Sequence, residues 1–200
     1  MKKKIPSPAS RFSYLFSKLS SSSLYLTSHF SYFPSLLTSH PSRFTPYVHL
    51  LLLWLLIIPA AMPLLQPTLP HSADGLLHLF RLVALTQALE QGALFPRWLP
   101  DLAYGYGFPL FVYYAPLSYY LSLLVAMVTP SLSTALNLSF ILALFAAGTG
   151  MFFATKLHFG PGPAILAGVA YVYAPFQLLN SLFRGGLPAA WALAAFPFVF

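Results

Sequence analysis

Acidic side chains are nearly missing from this 200-residue chain, which holds three against ten Lys and Arg. Cysteine is absent, which excludes a disulfide scaffold, a thiolate metal site and a cysteine nucleophile. Charged residues of both signs make up 6% of the chain, where about a quarter is usual, and that excludes an ordinary soluble domain. There is no P-loop, no GxSxG and no HExxH, and Gly105–Tyr106–Gly107 lies outside any βαβ context, so nucleotide and zincin motifs are lacking. The net charge of +7 does not indicate a nucleic-acid partner. Lys2, Lys3, Lys4, Arg11, Lys18 and Arg43 precede the first long apolar run, where basic residues orient a membrane protein.

What the chain does have is apolar length, with 58% hydrophobic residues and a mean hydropathy of +0.74. Crossing a hydrocarbon core takes about 20 apolar residues, and several stretches approach that. Residues 1–46 are Ser-rich and broken by Pro and His, and they read as a disordered basic tail. Five spans follow in the expectation: 47–65, 108–128, 135–155, 163–179 and an incomplete one at 187–200. The last is cut at Phe200, which predicts a piece of a longer protein. Gly148 and Gly150 permit close helix packing in the third span. The expected fold class is all-α, a polytopic transmembrane helical bundle (multi-pass, inner membrane) with a cytoplasmic N-terminus and an external loop at 66–107. Simple alternation of spans then places Lys156 outside and Arg184 inside.

All three acids, Asp74, Glu90 and Asp101, fall in that one loop. Periodicity predicts an amphipathic helix over 73–91, capped by Ser72, ended by Gly92 and lying on the membrane. Its apolar face would be Leu76, Leu77, Phe80, Val83, Ala84 and Ala88. Asp74, His78 and Arg81 stand at i, i+4 and i+7, so carboxylate, imidazole and guanidinium share a sector. Leu85 interrupts that sector. Such a set can take a proton from an acceptor hydroxyl and hold a phosphate. The plain alternative is a polar helix face with Asp74 favoured in the first turn. Glu90 reads as solvent-exposed, and Arg97–Trp98 with Asp101 as an interfacial anchor or local ion pair. His71, Asp74 and His78 form a thin candidate set for a divalent metal; no metal or other cofactor is otherwise expected.

The segments ADGLLHLFRL, GALFPRWLPDLAYGYGFPLFVYYAPLSYYL and FRGGLPAAWALAAFPF resemble a bacterial polytopic family catalogued as "6-pyruvoyl-tetrahydropterin synthase-related". The layout is also similar to the GT-C membrane glycosyltransferases, which use polyprenyl-phosphate-linked sugars as donors. The resemblance implies that Asp74 matches the external-loop Asp acting as base or binding the acceptor. It also implies that Arg184–Gly185 matches an Arg-Gly pair usually followed by Glu, a position held here by Ala189. A match on that pair favours an outer location for Arg184, against simple alternation.

The leading expectation is thus a glycosyltransferase-like membrane protein with Asp74 and His78 as catalytic residues. Arg81 and Arg184 would bind the donor phosphate; the partners would be membrane lipid and a polyprenyl-phosphate-linked sugar. The competing expectation is a transporter or flippase-like subunit, which would show ionisable groups or broken helices at mid-membrane. An inactive fragment is the third.

Overall fold

The computed structural model describes residues 45–199, so the expected tail lies almost wholly outside the described residues. Within them every regular element is helical, and Leu99 and Phe108 form one isolated antiparallel bridge. Helix α1, Thr45–Ala61, runs on into a short 3-10 turn at Met62–Leu64, where Pro63 ends the regular ladder. Helix α2, Gly75–Glu90, stops in a Schellman motif at Gly92, which has φ +88°. There the Gly92 N–H donates to Leu89 and the Ala93 N–H to Ala88. Helices α3 (Leu110–Tyr113) and α4 (Leu117–Ala126) flank Pro116. The long helix α5, Leu132–Phe159, starts where the Ser131 hydroxyl accepts from the Thr134 N–H, and it ends at Gly160. Helix α6, Pro161–Val172, breaks before Pro175. It resumes as α7, Pro175–Leu178, which widens into a π turn over Leu179–Arg184. Helix α8 spans Leu187–Ala195 and is followed by a 3-10 turn at Phe196–Phe198.

Two pairings set the direction of α5. Trp54 Nε1 donates to Thr149 Oγ1 at 3.0 Å, while Asn137 Nδ2 donates to the carbonyls of Gln66 and Thr68, both at 2.9 Å. Helices α1 and α5 are therefore antiparallel. Their crossing depends on small residues. A Cβ at Gly168 would stand 2.8 Å from the Gly148 carbonyl and 2.9 Å from Leu53, and one at Gly148 would press on Ile57 and Val172. Three helices meet where side chains would hold them apart. Helix α8 lies along α5 in the same direction, with Trp191 donating to Ser139 and Phe198 covering Gly150.

Two helices, Tyr47–Leu64 and Leu132–Phe159, are long and apolar enough to cross a membrane. A third candidate arises if the pair Pro161–Val172 and Pro175–Arg184, bent by 48°, counts as one span. The expected second span is different. Helix α4 has ten residues, about 15 Å of rise, half of a hydrocarbon core of roughly 30 Å. Pro116 and Pro130 bound it, and it folds back on α5 through a Ser122–Ser139 hydrogen bond of 2.8 Å. The expected fourth span is likewise interrupted, at Pro175.

Candidate functional site

Backbone hydrogen bonds build the site before any side chain contributes. The N–H groups of Ala73 and Asp74 donate to the carbonyls of Phe183 and Arg184 at 3.0 and 2.8 Å. This strap ties the start of α2 to the end of the π turn. Gly185 makes it possible, because its φ is +72° and a Cβ there would stand 2.6 Å from Ser72 Oγ. Asp74 is the N-cap of α2 but makes no side-chain cap bond, and Ser72, expected in that role, packs against Gly185 instead. The Asp74 carboxylate points to Arg184, with Oδ2 3.5 Å from Nε, and the two side chains are 38% and 62% exposed. It is the one ion pair among the described residues.

One turn further along α2, the sector containing His78 faces the protein. His78 is 1% exposed, and its Nδ1 lies 2.7 Å from the hydroxyl of the fully buried Tyr119. Arg81 donates to the same hydroxyl at 3.2 Å and lies 4.7 Å from the centroid of the Tyr114 ring, a cation–π contact. With one proton and two lone pairs, the Tyr119 hydroxyl can bond Arg81 and His78 Nδ1 at the same time. Burial pushes the His78 pKa from the usual 6.5 to about 4; the charges of Arg81 and Arg184 add to this and Asp74 opposes it. His78 is therefore neutral at pH 7.

The structure thus gathers Asp74, His78, Arg81 and Arg184 at one end of the helical assembly, near enough for their charges to bear on one another. The expected apolar face divides: Ala84 and Ala88 pack against the protein, and its larger side chains do not. Leu76, Leu77 and Phe80 are exposed, whereas Gly75, His78, Leu82 and Leu85 are buried. Leu85, read as a flaw in the polar sector, marks the face that packs inward. Arg184 stands beside Asp74, and α1 and α5 run antiparallel, whereas simple alternation of the expected spans would make them parallel; the ten-residue α4 is short for the span expected between them.

Tyr119 and Tyr114 complete the site and were not singled out from the sequence. The available signal was that a buried tyrosine hydroxyl needs a partner. No group of three His, Asp or Glu comes together as a metal set among the described residues, so His71 does not join Asp74 and His78. Glu90 is exposed. Arg97, Trp98 and Asp101 line a cleft of about 420 Å³ between α2 and the following loop, with Gln87 and Gln91 opposite. Comparison with protein families, curated proteins and solved structures finds nothing that matches this chain.

Proposed function

We propose that the protein is a multi-pass membrane glycosyltransferase of GT-C type, with the Asp74–Arg184 junction at the outer face. The observation that carries this reading is the convergence of the one carboxylate that is ion-paired among the described residues with two guanidinium groups and a neutral imidazole. It occurs beside the exposed apolar residues Leu76, Leu77 and Phe80. A polyprenyl-phosphate donor needs both parts, apolar surface for the lipid and cations for the phosphate. In the proposed reaction an acceptor hydroxyl attacks the anomeric carbon, its proton passes to Asp74, and the bond to the lipid phosphate breaks. Arg184 and Arg81 stabilise the charge that develops on the departing phosphate. Engagement of Arg184 by phosphate also releases Asp74 from its ion pair. His78, neutral and held by Tyr119, positions the start of α2 rather than carrying a proton.

The antiparallel α1 and α5 support the orientation. Lys156 lies beyond Thr149, towards the end where α1 begins, and the six basic residues that precede α1 in the sequence would favour the same side by the positive-inside rule. The test is transfer from a polyprenyl-phosphate sugar in membranes. Asp74→Asn abolishes transfer and Glu90→Gln leaves it intact; full activity in Asp74→Asn rejects the reading. The bent pair α6–α7 favours a second reading, a transporter or flippase-like subunit. That reading predicts sugar–lipid movement across vesicles without transfer.

A further inference from the structure

The bent helix also carries polar side chains that no protein atom satisfies. Gln177, Asn180 and Ser181 stand at i, i+3 and i+4, so they share one face of the segment that follows the break. They are 2%, 3% and 2% exposed. Both amide atoms of Gln177, Oδ1 of Asn180 and Oγ of Ser181 lack hydrogen-bond partners among the described residues. Asn180 Nδ2 is the exception, donating to the Gly186 carbonyl at 3.2 Å. Buried polar atoms left without partners cost about 1–3 kcal/mol each, and four on one helical face in an apolar assembly call for an occupant. The same segment has two further marks of a binding element. It follows a 48° break, and it winds as a π turn, a form that recurs at functional sites.

The unmet atoms define the chemistry of the occupant. Gln177 Nε2 needs an acceptor, Gln177 Oε1 and Asn180 Oδ1 need donors, and Ser181 can serve either way. A cation fails the first demand and would also lie one turn from Arg184. Hydroxyl groups, which donate and accept, meet all of them. We infer that Gln177, Asn180 and Ser181 form a buried site for uncharged hydroxyl groups below the Asp74–Arg184 junction. Those hydroxyls come from bound water or from the sugar of a lipid-linked substrate. The site itself does not depend on the proposed reaction; only the sugar source does.

Two substitutions test it in the full chain: Gln177→Met, nearly isosteric, and Ser181→Ala, milder should the first fail to fold. Both remove only atoms without protein partners. If hydroxyls satisfy those atoms, each variant lowers the Tm, by about 3 °C or more. If the atoms are truly unpaired, apolar replacement leaves the Tm unchanged or raises it, and the inference is overturned. The source is separated by comparing polyprenyl-phosphate glucose with bare polyprenyl phosphate as stabilising ligands. A sugar-lined site gives the glucose lipid the larger Tm increase, and Gln177→Met erases the difference. A water-filled site gives no difference between the lipids while the Tm loss in the variants remains. Neither outcome requires glycosyl transfer, so loss of the proposed reaction and loss of this site are told apart.

Discussion

Two regions hold this assembly together by opposite means. At the crossing of α1, α5 and α6 the contact is made by absence, since Gly148 and Gly168 have no side chains and Leu53 and Ile57 fill the space. At the junction of α2 with the π turn the contact is made by polar groups: a backbone strap, one ion pair and a tyrosine hydroxyl shared by His78 and Arg81. The crossing depends on shape and tolerates no added volume. The junction depends on partners and tolerates no lost hydroxyl. Of these two regions, the junction is the one whose groups are held by partners that a ligand can replace.

The sharpest way to break the comparison is to show that the two ends of the molecule do not face opposite sides. The chain has no cysteine, so single cysteines report cleanly. Gln91→Cys and Phe183→Cys should be labelled from one side of the membrane and Leu157→Cys only from the other. Labelling of Phe183→Cys with Leu157→Cys would dismantle the antiparallel arrangement. Next in size is activity. Asp74→Asn should lower transfer by at least about 100-fold, the scale of general-base loss, with little change in Tm.

Stability effects follow, and they differ in kind. Gly168→Val should destabilise by about 1–3 kcal/mol through overpacking, read as a lower midpoint of thermal or chemical unfolding. Tyr119→Phe should cost a similar amount, about 1–3 kcal/mol, for a different reason: it leaves His78 Nδ1 without its hydrogen bond. Unfolding as a function of pH separates the His78 contribution from the packing one. The folded chain resists protonating His78 until about pH 4, whereas the unfolded chain takes up the proton near 6.5. The unfolded state then binds more protons, so stability falls as pH drops from 6.5 to 4. His78→Gln should flatten that decline, and Gly168→Val should leave its slope unchanged. The smallest effect belongs to Arg184→Gln. Its ion pair is largely exposed, so the stability change should stay under about 1 kcal/mol even though transfer falls.

Much of this was legible in the residues. The helical class, the apolar segments, the helix near 73–91 and its stop at Gly92 all follow from local rules of periodicity and termination. So does the shared sector of Asp74, His78 and Arg81, because spacing along a helix determines it. Prolines mark where α4 is cut short and α7 is bent, but whether a proline ends a span or kinks it depends on what neighbours satisfy the freed backbone. Which face of α2 turns inward was not legible. Periodicity groups Leu76, Leu77 and Phe80 on one face, but only tertiary packing decides whether an apolar face meets protein or remains exposed.

By itself the sequence determined which chemical groups exist and roughly how the chain is divided into helices. Three acids, no cysteine and long apolar runs are properties of composition, and helix formation is governed by neighbours a few residues away. Tertiary structure alone decided that Arg184 meets Asp74, that burial beside Arg81 keeps His78 uncharged, and that Gln177, Asn180 and Ser181 are buried together. These are contacts between segments distant along the chain. Their energies depend on burial and on distances of a few ångströms, which local periodicity does not encode.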